Sequence, residues 1–247
     1  MIRKLIVCMS LLAAPGLVLA AGGEAHLERA NIDISNEASL QRGAKYFVNY
    51  CLGCHSAKYV RYNRLALDLG LTEDQLVKNL MYTGERPFDT MDNAIPQVDS
   101  ANWFGRTPPD LSLTARARGA DWVYSFLKSF YIDASKPTGT NNLVLQGASM
   151  PHVLWDLQGV QKAVFRTETG PDGNPHEVFD GFELVHPGRL SPEEFDDVAS
   201  DLTAFLTYIS EPVQLQRQSL GIKVILFLVV LFLFAFLFKK ELWKDVR

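Results

Sequence analysis

Residues able to hold a metal or form a covalent link are scarce here: three cysteines and five histidines among 247 positions. That scarcity removes a zinc ribbon, because a second pair of ligands at similar spacing is needed and the remaining cysteine, Cys8, stands alone. Internal repeats and low-complexity tracts are also missing, which excludes a repeat array and a disordered chain. What is present is concentrated. Cys51, Leu52, Gly53, Cys54 and His55 spell Cys-x-x-Cys-His. Two thiols three positions apart match the two vinyl groups of haem, and the next histidine can turn its imidazole onto the iron. A thioredoxin-like dithiol or a small disulfide is the plainer reading of such a pair. The composition makes a chance Cys-x-x-Cys-His match rare, with an expectation on the order of 10⁻³, so one covalently attached haem is expected.

An excess of positive charge is lacking too. The net charge is −4; Arg3 and Lys4 contribute +2 and the stretch 223–247 contributes +3, which leaves −9 for the chain between. Such a balance disfavours nucleic acid and favours basic partners through long-range attraction, unless the acids serve only solubility. With 47% hydrophobic and 21% charged residues, one sizeable core can be buried.

Residues 1–20 have a short basic start, an apolar run broken by Pro15 and Gly16, and small residues at its end. They read as a secretory signal peptide; an uncleaved anchor is the alternative, though the run is shorter than the ~20 residues that span a bilayer. Cys8 lies inside this run and is assigned no role. Export and haem attachment support one another, since bacteria attach haem to this motif outside the cytoplasmic membrane.

Leu40, Ala44, Phe47, Val48 and Cys51 recur at helical spacing, which predicts a helix leading into the motif, with Gly43 at a close packing contact. Thr72 and Gln75 predict a capping box for a helix over 72–82 stopped by Gly84. Residues 86–110, rich in Pro, Asp and Asn, read as a long loop over the haem. Asp121 is expected to cap a short apolar helix reaching Tyr131, and Pro171-Asp172-Gly173-Asn174 a hairpin or excursion over 167–188. Ser191, Pro192 and Glu194 supply cap, first-turn proline and capping-box acid for a last soluble helix. Its apolar stripe runs through Phe195, Val198, Ala199, Leu202, Phe205, Leu206 and Ile209. Residues 220–238 are apolar apart from Lys223 and reach roughly 28 Å as a helix, about the hydrocarbon thickness. Lys239, Lys240, Lys244 and Arg247 follow, so the positive-inside rule puts the C-terminus in the cytoplasm and the haem domain outside. The expected organisation is signal peptide 1–20, periplasmic haem domain 21–219, transmembrane anchor 220–239 and cytoplasmic tail 240–247. The fold class is mainly α, with long loops and a small excursion.

A haem that only carries electrons has both axial positions filled. Met81 sits at helical spacing on an apolar face and reads as core. Met91, in the haem-side loop, is a candidate. Met150 is favoured, because Gly147 permits close approach and Pro151 stiffens the loop that presents the sulfur, ninety-five residues beyond His55. His152 is its rival and would give a bis-histidine haem of lower potential.

The sequence from about Gln41 onward resembles the cytochrome c1 family, the haem subunits of the quinol:cytochrome c oxidoreductase (bc1) complex. The likeness rests on Arg42-Gly43 before Tyr50, the haem motif with Ser56, Tyr59 and Tyr62, Ala101-Asn102 and Pro108-Pro109-Asp110-Leu111-Ser112. It continues through Ala115-Arg116-Ala117-Arg118, Ala148-Ser149-Met150-Pro151 and the C-terminal apolar run. Trp103, Phe104, Gly105 and Arg106 are less typical of the family. The resemblance implies that Cys51 and Cys54 hold the haem, that His55 and Met150 ligate its iron, and that Asn102, Pro109 and Arg118 contact the ring or its propionates. It further implies electron delivery from a Rieske iron–sulfur protein to a c-type cytochrome, cytochrome b beside the anchor, and no bond chemistry by this chain alone. A membrane-anchored donor to a terminal oxidase is the nearest alternative. A haem-based sensor or peroxidase would need an open sixth site and, for a sensor, an output domain that the residues after the anchor are too few to form.

Overall fold

The computed structural model describes residues 27–169 and 174–245; the expected signal peptide, Cys8 and the turn at Pro171-Asp172-Gly173 lie outside the described residues. Nine α-helices, one π-helical turn and three two-stranded antiparallel sheets are described there, and the fold is mainly α. Helix α1 (Glu37–Tyr46) begins at Asn36, whose side chain accepts from the Ser39 amide, and it widens without a break into a π-helical turn, Phe47–Cys51. All five residues of the predicted stripe are buried. They lie against α8 (Pro192–Ser210), which opens with the Ser191–Glu194 capping box and proline in its first turn, and whose predicted stripe is buried throughout.

The crossing of α1 and α8 is close at Gly43. A Cβ there would stand 2.6 Å from Cβ of Phe205, with the Asp201 carbonyl closer still. Beside it the buried Asp201 carboxylate accepts from Arg42 Nε at 2.6 Å, Arg42 Nη2 at 2.8 Å and Ser39 Oγ at 2.6 Å. A paired guanidinium fork suits a buried carboxylate, because removing either charge from water without its partner is costly.

Four expectations change in detail. Helix α3 (Glu73–Asn79) has its predicted capping box but ends before 82: Leu80 is drawn into the core in a non-helical conformation, and Gly84 instead makes room for the Tyr62 ring. The stretch 86–110 is not a featureless loop. It contains β2 (Thr90–Met91), paired with β1 (Ala57–Arg61), and α4 (Gln97–Phe104), bounded by Pro96 and Gly105. The apolar run after Gly119 divides at Ser129 into α6 (Ala120–Lys128) and β3 (Phe130–Ile132), the latter paired with β4 (Thr140–Asn142). Asp121 does not cap α6; Gly119 holds that position, and the Asp121 carboxylate accepts the Ala30 amide at 2.9 Å, fastening the N-terminal segment to the helix. The excursion is longer than 167–188, since β5 (Gly159–Thr169) and β6 (Pro175–Pro187) pair along their whole length with two irregularities in register.

Between these elements lie α2 (Tyr62–Asp68), α5 (Thr114–Arg118) and α7 (Trp155–Gln158), the last leading directly into β5. After Glu211-Pro212 the chain turns into α9 (Gln214–Leu242), 29 residues with no buried position, long and apolar enough to cross a membrane.

Because the α1–α8 contact leaves no space for a methyl group, Gly43→Ala should lower stability by about 2 kcal/mol, the usual cost of overpacking a closed core. Chemical denaturation of the intact and substituted chains checks this; equal midpoints would show that the two helices separate freely.

Candidate haem site

The π-helical turn decides where the motif emerges. Leu52 N–H donates to the Phe47 carbonyl at 2.9 Å, and then Cys54 and His55 N–H both fold back onto the Cys51 carbonyl, at 3.0 and 2.8 Å. Local widening of this kind is frequent at functional sites, because it re-aims side chains without ending the helix. The Cys54 carbonyl accepts from Asn93 Nδ2 at 2.6 Å, the Ser56 carbonyl from the Leu111 amide at 2.8 Å, and Ser56 Oγ pairs with Asp92. Asp92 and Asn93, within the region expected to be a loop, and Leu111, just past it, thus grip the end of the motif and Ser56.

His55 Nδ1 lies 2.7 Å from the Pro109 carbonyl oxygen. A carbonyl can only accept, so Nδ1 carries the hydrogen and Nε2 keeps the lone pair that a metal requires. Burial, which favours the neutral ring, holds the His55 pKa below its ordinary value against the opposing pull of the hydrogen bond to Pro109. Burial, with a smaller contribution from Cys54, pushes the Cys51 thiol up to about 12, and burial also raises Cys54, so both are held as thiols.

Cys54, His55, Pro109 and Met150 line one partly open apolar cleft of about 500 Å³, open solvent included. Its other walls are Tyr50, Phe104, Arg106, Pro108, Ser149, Pro151 and Val153. Cys51 is buried in the core beside it. Asn102 and Arg118 are not among the lining residues; Asn102 is exposed on α4, and the Arg118 guanidinium stands 5.2 Å over the Trp122 ring. Of the candidate sixth ligands, Met150 alone lines the cleft. Met91 is fully buried in β2, Met81 packs against the core, and His152 stacks on Phe130 with ring centroids 5.2 Å apart. Burial pushes the His152 pKa down to about 4, so its ring is neutral near pH 7.

The loop carrying Met150 is held by two asparagines that sequence reasoning missed. Asn142 is fully buried: its Oδ1 accepts from the amides of Val144 at 2.9 Å and Leu145 at 3.0 Å and from Ser129 Oγ at 3.1 Å, while Nδ2 donates to the Phe126 carbonyl at 2.8 Å. Asn141 Oδ1 accepts the Gly147 amide at 2.8 Å, and Gly147 takes φ +74, a conformation that favours glycine. The available signal was the Asn-Asn pair shortly before Gly147, since asparagine side chains commonly organise turns by bonding backbone amides. Arg106, on the wall of the cleft, was noticed only as atypical.

An imidazole with one lone pair to spare, a thioether lining the same apolar cleft and two adjacent protonated thiols fit a haem attached through thioethers. The class so defined is the monohaem c-type cytochromes. Comparison with known proteins agrees: the Cytochrome C1 family matches residues 30–163 and 175–246. Cytochrome c1 of Allochromatium vinosum is 53% identical over 99% of this chain and its own full length. The ammonia monooxygenase gamma subunit of Nitrosomonas europaea is 42% identical, and cytochrome c1 of Rhodospirillum rubrum 28%; the alignments cover 97% and 96% of this chain and 97% of each relative. The chain belongs to the cytochrome c1 family, haem subunits of the bc1 complex that act with cytochrome b and a Rieske protein and carry one covalently bound haem c.

Replacing Asn142 by alanine orphans two amides and a hydroxyl and should destabilise the protein by about 3 kcal/mol, with much faster hydrogen exchange at Val144 and Leu145. Unchanged exchange at those amides would mean that the loop holds itself.

Proposed function

We propose that this chain is the membrane-anchored electron carrier of a bc1 complex, accepting electrons from the Rieske iron–sulfur protein and passing them to a c-type cytochrome. When bound, the haem supplies a one-electron iron couple. Cys51 and Cys54 would hold it covalently, as thioethers formed by S–H addition to its vinyl groups, and His55 Nε2 and the Met150 sulfur would ligate its iron. The observation that carries this reading is the convergence of His55 and Met150 on one apolar cleft, with the rival ligands elsewhere. The Pro109 carbonyl orients His55 and increases its basicity, and the apolar walls exclude water, so reorganisation on electron transfer is small. Phe104, Pro108 and Val153 serve as ring-packing walls, and Arg106 is a cation available to a propionate; Asn102 and Arg118 remain proposed contacts on the strength of the family resemblance alone. Monooxygenase is a word in the name of the Nitrosomonas relative; oxygen chemistry at the haem of this chain would need an open sixth position, which Met150 would close.

The exposed α9, with Lys239, Lys240 and Lys244 at its end, supports a single span that leaves the C-terminus in the cytoplasm and the haem domain in the periplasm. The boundaries 21–219, 220–239 and 240–247 stand as proposed, with the helix itself starting earlier, at Gln214.

Met150→Leu should leave the haem attached, lower the midpoint potential markedly and let carbon monoxide bind the reduced iron. An unchanged potential and no carbon monoxide binding would remove Met150 as ligand, and the same substitution at Met91 and a His152→Leu variant would then locate the sixth donor.

Not all acids are free to steer an acceptor. Asp201 is bonded to Arg42, Asp196 pairs with Lys128 at 2.8 Å, Glu194 closes its capping box, and Glu168 and Glu183 pair with Arg166 and Lys162 on the hairpin. Glu193 and Asp197 stay exposed. Local pairing leaves the net charge unaltered, so oxidation by a basic cytochrome should slow on the order of tenfold as salt rises from 0.01 to 1 M and the Debye length shrinks from about 30 to about 3 Å. A rate insensitive to salt would refute electrostatic steering.

A further inference from the structure

Tyr50 immediately precedes Cys51, and its ring lines the haem cleft. Its hydroxyl donates to Asp156 Oδ2 at 3.2 Å and accepts from Arg189 Nη2 at 3.2 Å, while Arg189 Nη2 donates to Asp156 at 2.6 Å. Asp156 lies on α7, six residues after Met150, and Arg189 follows β6. Arg189 is joined to α7 through the backbone as well, its amide donating to the Asp156 carbonyl at 2.9 Å and the Leu190 amide to the Leu157 carbonyl at 3.1 Å. The three residues therefore connect the turn that carries the haem cysteines to the segment that carries Met150. It is a polar tie between the two segments, reaching the cleft through Tyr50.

We infer that the Tyr50 hydroxyl, held by Asp156 and Arg189, is a positioning group that fixes the Met150 segment relative to the haem-attachment turn and so keeps the sulfur on the iron. This rests on the proposed ligation by His55 and Met150. Tyr50 touches no reacting atom in this role; it acts through the separation of two segments. Burial, reinforced by the neighbouring Asp156, raises the Tyr50 pKa, so the hydroxyl keeps its hydrogen and the tie persists across ordinary pH. Arg189 shields the carboxylate from the other side, and its exposed position allows substitution without opening the core.

The test uses the full-length ferric haem protein in detergent and free imidazole, which binds the iron only when the methionine has left. Tyr50→Phe keeps the ring and deletes the hydroxyl; imidazole affinity should rise about fivefold, the equivalent of roughly one net hydrogen bond. Asp156→Ala should do the same, and the double variant should gain no more than Asp156→Ala alone, because both remove one tie. If Asp156→Ala fails to accumulate, Arg189→Gln takes its place in the cycle. Met150→Leu is the control for the ligand assignment and should raise imidazole affinity far more. If Met150→Leu leaves imidazole affinity unaltered, the ligand assignment fails, and this inference with it. If Met150→Leu raises the affinity and Tyr50→Phe does not, the positioning role alone is overturned. A lower unfolding midpoint in Tyr50→Phe with unchanged imidazole affinity also overturns it, since the tie is then merely structural.

Discussion

The contact on which the rest of the structure depends is the crossing of α1 and α8 at Gly43. Helix packing this close needs a residue without a side chain on one partner, and the cost of burying a carboxylate on the other is met by the Arg42 fork and the Ser39 hydroxyl. One turn on from Gly43, the Phe47 ring meets Phe205 at a tilt, with centroids 5.4 Å apart. The haem motif leaves the end of α1, so its position follows from this crossing. The same helix α8 also receives α6, where Lys128 reaches Asp196 at 2.8 Å and Glu28 at 2.7 Å, and the Met150 loop is braced on α6 through Asn142 and the Phe126 carbonyl. Both sides of the cleft are thereby referred to one helix.

From that frame the site is held by side chains bonding to backbone rather than by regular secondary structure. Asn93 and Pro109 restrain Cys54 and His55; Asn141 and Asn142 restrain the segment before Met150. A carrier that must change oxidation state with little movement benefits from donors fixed in this way. The cleft walls are correspondingly rigid in composition, with Pro108, Pro109 and Pro151 among them.

How much of this was legible in the sequence differs from place to place. The two long helices of the core were readable because their signals are local: periodic apolar positions in both, and for α8 also Ser191 as cap and Pro192 in the first turn. The haem motif and the favoured ligand were chosen on chemistry, and His55 and Met150 both line one cleft. Asp121 was misread because an acid before an apolar helix looks like a cap; its carboxylate instead serves the Ala30 amide, ninety-one positions away, a partner that no local pattern reveals. Helix α4 was hidden because the stretch 86–110, rich in Pro, Asp and Asn, shows no apolar period, and only Pro96 and Gly105 bound a short helix within it. Phe130 belongs to a strand although it continues a helical run, because the buried Asn142 pairs with it in the adjacent strand. A residue such as Asp156 matters through its bonds to Tyr50 and Arg189, far away in sequence, and its type carries no distinguishing mark along the chain.

The proposed ligands, His55 and Met150, would give the iron of a single haem c one imidazole and one thioether. Near-infrared magnetic circular dichroism of the ferric full-length protein tests it most directly, because the charge-transfer band separates histidine–methionine from bis-histidine ligation in a low-spin haem. The account predicts the histidine–methionine signature with no high-spin fraction. A bis-histidine band, or a high-spin spectrum from an open sixth position, would contradict it.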